Sequence, residues 1–243
     1  MDPGVGGGGD AGTADRVLIR YHKGPTPTSA PPASANVLAE AASTPGMDWD
    51  GFHERQPVRD ALVRDQRGLC AYCQRRIEAD ERMHIEHWVP RSHPTDGAAA
   101  QFRWANLIGV CRGITEDWTH AARPTVRHCD TSRGDAPLFL HPVDGEGPDP
   151  RAHLTYGTNG ALRARDADPR VTSDIATLNL AATVLERGRA QALDAFRRLA
   201  QQHDYAPAYL RRQLEDYERR AVAPEYFEVI RAYILRKLAQ PAP

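Results

Sequence analysis

The sequence predicts an α+β fold, with short strands and turns through its middle third and helices at its C-terminal end. Three observations predict it. All four Cys and six of the ten His fall between residues 70 and 141, in short segments broken by Gly and Pro. Asn159-Gly160 sits between short apolar runs, the pattern of a hairpin. From about residue 173 the apolar residues recur at helical spacing.

The size of the chain bounds the answer. Its 243 residues suffice for one generous domain or two small ones. Hydrophobic residues make up 41% and charged residues 26%, which excludes a collagen-like or wholly disordered chain. No apolar run is long enough to span a bilayer, so no membrane partner is expected. The start, MDPGVGGGGDAG, has neither a basic cluster nor an apolar core, so a cytoplasmic protein is expected rather than a secreted one. The net charge of -1 neither favours nor opposes nucleic acid, and any basic patch must be local. Of the 31 basic residues only Lys23 and Lys237 are Lys, a bias of the coding sequence that carries no functional weight.

Residues 1–50 read as a disordered or extended N-terminal segment. Its first fifteen residues are Gly-rich, Val17-Leu18-Ile19 suits a short strand, and GPTPTSAPPASA (24–35) breaks regular structure. Residues 51–145 form the core region. Val58, Leu62 and Val63 suit a helix from Pro57 that ends at Gly68, and the Cys/His segments follow. Residues 146–170 hold the hairpin, where Asn159-Gly160 predicts a type I′ turn flanked by Leu154, Tyr156 and Leu162. Residues 171–243 are helical. Leu185, Leu193, Phe196 and Leu199 mark one stripe. Leu210, Leu214 and Tyr217 mark a second after Pro207, and Tyr226, Phe227, Ile230, Tyr233, Ile234 and Leu238 a third. Such helices form a packed bundle or a surface for docking a partner.

Cys70-Ala-Tyr-Cys73 is a CxxC turn whose bend aims two thiolates at one point. Cys111 and Cys129 are available to close a tetrahedral all-thiolate site for structural zinc, with no Cys left over. Disulfides and inert buried thiols are the alternatives. Zinc is favoured over a disulfide because cytosolic thiols stay reduced, and over a redox pair because no βαβ context surrounds the CxxC.

Between and after the Cys stand His84-Ile85-Glu86-His87-Trp88-Val89-Pro90, then FRWANL with Asn106, then His128-Cys129-Asp130-Thr131-Ser132-Arg133-Gly134. Taken singly, each has an ordinary structural role, such as Asp130 capping a short helix. Together they hold the parts needed for phosphodiester hydrolysis. A neutral His takes a proton from water, Asn holds a ring in one tautomer, two oxygen ligands hold a hard cation, and Arg clamps phosphate.

The run CxxC, EHxxP, WxNL, C and CDxxRG over residues 68–135 resembles the HNH endonucleases, which have a zinc-stapled ββα-metal core. CAYC, IEHWVPRS, FRWANLIGVC, HCD and LFLHP, with a later LNL before a helix, look more narrowly like the HNH subunit of Septu-type and retron-associated anti-phage defence systems. The resemblance implies that His87 is the general base, that Glu86 and Asp130 hold a catalytic Mg²⁺ or Mn²⁺, that Asn106 orients the base, and that Arg133 contacts phosphate. It also implies a DNA substrate, with RNA left open, and an SMC/ABC-type ATPase as partner. No GxxxxGK[ST] motif occurs in this chain, so any ATP dependence comes from another one. A zinc-stapled nucleic-acid-binding module without catalysis, or an adaptor built on the helices, is the alternative reading.

Two features depart from the family pattern. Seventeen residues separate Cys111 from Cys129, a long gap that includes Asp117, His120 and His128 as rival ligands. The third letter of HNH is Asp130, which favours a hard cation over a soft one. A geometric condition is added by the chain itself. Glu86 and His87 are adjacent, and a regular strand would point them to opposite faces, so the strand must end or distort there, as Pro90 allows. His84 shares the face of Glu86 and is an accessory ligand candidate. Arg91 is a candidate for a backbone-phosphate contact. No recognition helix is evident, and the resemblance implies docking by shape with little base specificity.

Overall fold

The structure, a computed structural model, describes residues 32–116 and 125–240. The expected strand at Val17-Leu18-Ile19, the Pro-rich stretch before residue 32, Asp117 and His120 lie outside those residues.

Helix α1 (Pro32–Ser43) opens with proline in its first turn, where the missing N–H costs nothing, and continues through the helix-favouring stretch NVLAEAA. Its Leu38 and Ala41 are buried, as are Trp49 and Phe52 in the turns that follow. The expectation of an extended or disordered chain as far as residue 50 therefore gives way at Pro32: behind the Pro-rich stretch lies a short amphipathic sequence with a core to pack on. Helix α2 (Gln56–Asp65) buries Val58, Ala61 and Leu62, and the chain reverses at Gly68, whose φ of +74° suits glycine.

A tight turn at Cys70–Cys73 leads to strand β1 (Met83–His87), paired antiparallel with β2 (Leu107–Cys111), Glu86 opposite Ile108 and His87 opposite Leu107. The connection carries α3 (Gly97–Ala100) and a 3₁₀ turn at Trp104–Asn106. β3 (Ile114–Glu116) and β4 (Thr125–Arg127) pair within the long Cys111–Cys129 gap, and α4 (Asp130–Arg133) is a single turn. Helix α5 (Pro150–His153) precedes β5 (Leu154–Tyr156) and β6 (Leu162–Ala164). The hairpin forms as read, but its turn is not type I′. Gly160 has φ +84° while Asn159 stays out of the positive-φ region, its side chain accepting from the Ala161 N–H at 3.2 Å. A turn closed by Gly160 N–H to Gly157 O leaves five residues between the strands, so only one position needs glycine.

The C-terminal part holds α6 (Pro169–Thr177), α7 (Thr183–Gln201), α8 (Pro207–Arg219) and α9 (Phe227–Leu238). Asp168 caps α6 by accepting from Arg170 N–H at 2.9 Å. Leu185, Leu193 and Phe196 are buried as the stripe predicts, whereas Leu199 is 47% exposed. These helices share one apolar core with the Cys region, running from Leu38 to Ile234. They are also tied to it through backbone atoms. Ala223 N–H donates to Arg67 O and Tyr226 N–H to Gln74 O, each at 3.0 Å. The Gln74 side chain accepts from Glu228 N–H at 3.0 Å.

Candidate active site

Two sites lie side by side, one of thiols and one of carboxylates and imidazoles. The four Cys converge from separate elements: Cys70 and Cys73 from the turn after α2, Cys111 from the end of β2, Cys129 from the residue before α4. Their sulfurs all lie within 4.8 Å of one another. Cys70–Cys129, Cys73–Cys111 and Cys111–Cys129 are 3.9, 3.7 and 3.8 Å apart. A tetrahedral ion with bonds of about 2.3 Å sets its corners about 3.8 Å apart, so these thiols could hold a metal such as zinc. Burial pushes the Cys73 and Cys129 thiols up, while hydrogen bonds from Cys129, Cys70 and Cys73 push Cys111 down. A bound cation would stabilise thiolates at all four positions. His128 does not join the four. It is fully buried beside them, Nδ1 at 3.1 Å from Cys129 Sγ and Nε2 at 3.0 Å from Thr115 Oγ1.

β1 ends at His87, paired in register with β2 up to that residue. Glu86 and His87 both line one cleft of about 270 Å³, together with Trp49, Ile85, Pro90, Arg91, Ser92, Gly134 and Asp135. His87 is 6% exposed, and its Nε2 is 3.0 Å from the carbonyl oxygen of Gln101. A carbonyl only accepts, so Nε2 carries the hydrogen and Nδ1 is left with the lone pair. Burial lowers the imidazole to about 4, so the ring is neutral at pH 7.

Asn106 does not touch that ring. It is fully buried, its Oδ1 accepting from Val89 N–H at 2.6 Å and its Nδ2 donating to Val89 O at 3.2 Å and Ala100 O at 3.1 Å. It fastens both ends of the β1–β2 connection, next to the residue that holds His87, instead of orienting the imidazole directly. Arg133 departs further from expectation. Its side chain is entirely buried and donates to Glu86 Oε1 at 2.6 Å, Trp88 O at 2.6 Å, Tyr72 OH at 2.9 Å and Ala136 O at 2.9 Å. A guanidinium so enclosed is not available to phosphate. Position in the CDxxRG run suggested a clamp, but Tyr72 and Trp88, supplied by other segments, cover it.

Glu86 is pushed up by burial, while Arg133 pulls it down and Asp130 raises it again. Among the described residues no hydrogen bond reaches its Oε2. Asp130 Oδ2 lies 2.9 Å from His84 Nδ1, and this contact raises the His84 imidazole. Asp130 stands beside the His87 cleft and does not line it. The other carboxylate that lines the cleft is Asp135, which accepts from Ser92 Oγ at 2.7 Å. Arg91 lines the cleft and pairs with the exposed Asp50 at 2.8 Å. Trp49, Gln101 and Asp135 were missed from sequence, since none stands in a residue pattern with chemical meaning.

A strand pair, a one-turn helix and a buried neutral His beside carboxylates adjoin a four-thiol cluster that could hold a metal. No family model matches the chain. It is 29% identical over 99 residues to the "Retron Ec83 putative HNH endonuclease" of Escherichia coli, covering 37% of this chain and 38% of that protein. It is 29% identical over 147 residues to the "Retron Vc95 putative HNH endonuclease" of Vibrio cholerae serotype O1 biovar El Tor, covering 58% of this chain and 65% of that protein. The chain thus spans less than two thirds of either relative. Both relatives are named "putative HNH endonuclease", and the likenesses support an HNH nuclease family at a coarse level. Among the described residues no helix is long and apolar enough to cross a membrane.

Proposed function

We propose that this chain is a metal-dependent HNH endonuclease that hydrolyses phosphodiester bonds of DNA, the effector of a Septu-like or retron-associated anti-phage complex with an SMC/ABC-type ATPase. The observation that carries the reading is His87: a neutral imidazole with Nε2 spent on a carbonyl, in a cleft it shares with Glu86.

Glu86 and Asp130 suit a hard divalent cation. Their like charges oppose each other, and Glu86 keeps an oxygen free of hydrogen bonds among the described residues. Mg²⁺ or Mn²⁺ held there would stabilise the charge that grows on the departing oxygen. The remaining steps fall to the chain. Nδ1 of His87 accepts a proton from water as the water oxygen bonds to phosphorus and the bond to the 3′ oxygen breaks, and the departing 3′ oxygen takes a proton from solvent. The products carry 5′-phosphate and 3′-hydroxyl ends. Arg133 keeps Glu86 in place and His84 keeps Asp130 in place. Arg91, at the mouth, is the basic group that a phosphate would meet once Asp50 gives it up.

Plasmid nicking with Mg²⁺ or Mn²⁺, with the ATPase co-expressed, tests the proposal. His87→Ala should cost about 10²–10⁴-fold in rate while DNA binding persists. If wild type and His87→Ala are equally inactive under every condition and both bind DNA, the chain is a zinc-stapled binding module instead.

A further inference from the structure

We propose that Trp49 and Gln101 are positioning residues, a brace from outside the metal-site motifs that holds the His87 imidazole in its Nε2–H tautomer. This rests on the reading of His87 as the base.

The brace begins upstream of α2. The Trp49 and His87 rings meet at 89° with centroids 4.5 Å apart, so the indole bounds the imidazole on one side. Gln101 bounds it on another. Its carbonyl accepts from His87 Nε2 at 3.0 Å, and its side-chain Oε1 accepts from Trp49 N–H at 2.9 Å. The two residues are therefore linked to each other as well as to the ring. Trp49 is itself held from behind. Arg55 Nη2 donates to Trp49 O at 2.6 Å, and its guanidinium lies 5.3 Å from the indole centre. Phe102, next to Gln101, meets the Trp49 ring at 5.9 Å.

A buried imidazole without such walls could flip, exchanging Nδ1 and Nε2, or swing away from the cleft. With them, one nitrogen is committed to a carbonyl and the other stays basic. The Gln101 carbonyl is backbone and cannot be removed by substitution. Its direction can be disturbed, because Gln101 is anchored through its side chain to Trp49.

The test is ¹⁵N ring spectroscopy of the histidines in the zinc-loaded full chain, alongside cleavage kinetics. Wild type should show His87 as a single Nε2–H tautomer. Trp49→Ala and Gln101→Leu should give mixed tautomers and a kcat lower by roughly 10- to 100-fold with KM little changed. Trp49→Phe, which keeps an aromatic wall, should recover most of both signals. Gln101→Leu decides the matter where Trp49→Ala fails to fold. If His87 keeps its single tautomer in a folded Trp49→Ala or Gln101→Leu chain, the brace is refuted. If the tautomers mix and kcat holds, the brace stands and the assignment of His87 as base falls.

Discussion

Arg133 donates through Nη1 to Oε1 of Glu86 at 2.6 Å with its own side chain wholly out of solvent. The pair joins α4 to β1, and the same guanidinium reaches the carbonyls of Trp88 and Ala136 and the hydroxyl of Tyr72. It organises the carboxylate site from beneath and makes no surface for ligand.

Arg133→Met should therefore act on stability first. Removing one partner of a buried ion pair leaves Glu86 uncompensated, at a cost of about 3–5 kcal/mol. Arg133→Lys should recover little, because an ammonium cannot copy the planar fork that serves several acceptors at once. Urea unfolding followed by circular dichroism measures both. A loss below about 1 kcal/mol for Arg133→Met would show that the pair is not the support described here.

What could be read from the sequence divides by physical cause. Thiol chemistry depends on residue type, so four Cys with none left over pointed to one cluster, and their sulfurs do meet. The apolar periodicity behind Leu193, Phe196 and Ile234 gave the helices, since a buried stripe is a local pattern. The roles of Arg133 and Asn106 were not local. Whether an Arg faces solvent depends on Tyr72 and Trp88, and whether Asn106 meets a ring or a backbone depends on how the β1–β2 connection folds. Trp49 was hidden for another reason: the Pro- and Gly-rich composition before it masked the short helix and the aromatic turn that brings Trp49 to the cleft.

Asn106→Ala should separate fastening from orienting. The substitution strands the Val89 N–H and the Val89 carbonyl in a buried place, at about 1–3 kcal/mol for each group left unpaired, while the Ala100 carbonyl keeps the Arg103 N–H. The expected result is a markedly lower melting temperature together with a lower kcat. A large kcat loss with unchanged stability would instead favour direct contact with the imidazole in the working state.

Metal analysis should find one zinc per chain, released only by strong chelators. Cys70→Ser and Cys129→Ser should each abolish it, because each removes a corner of the only cluster of this kind among the described residues. Structural zinc contributes about 10–16 kcal/mol to comparable small sites, so its loss should unfold the middle of the chain. Glu86→Gln should leave the zinc content intact and weaken Mn²⁺ binding alone. Equal loss of both ions in Glu86→Gln would mean that the two sites are not separate.

The C-terminal helices should prove inseparable from the thiol site. Arg76 Nη2 donates to Ala223 O at 2.6 Å, Tyr226 N–H reaches Gln74 O, and the fully buried Glu228 pairs with Arg151 at 2.8 Å. Gln74 and Arg76 belong to the turn that carries Cys70 and Cys73, so α9 buttresses the first two thiols. Phe227, Val229, Ile230 and Ile234 also leave the core if the segment is removed. At about 1.5–3 kcal/mol for each large apolar side chain buried, that loss rivals the net stability of a whole domain. Truncation after residue 206 should therefore give a chain that neither retains zinc nor unfolds cooperatively, as read by metal content and a thermal melt. A truncated chain that keeps its zinc and melts near the full-length temperature would show that the helices are an appendage free to serve a partner alone.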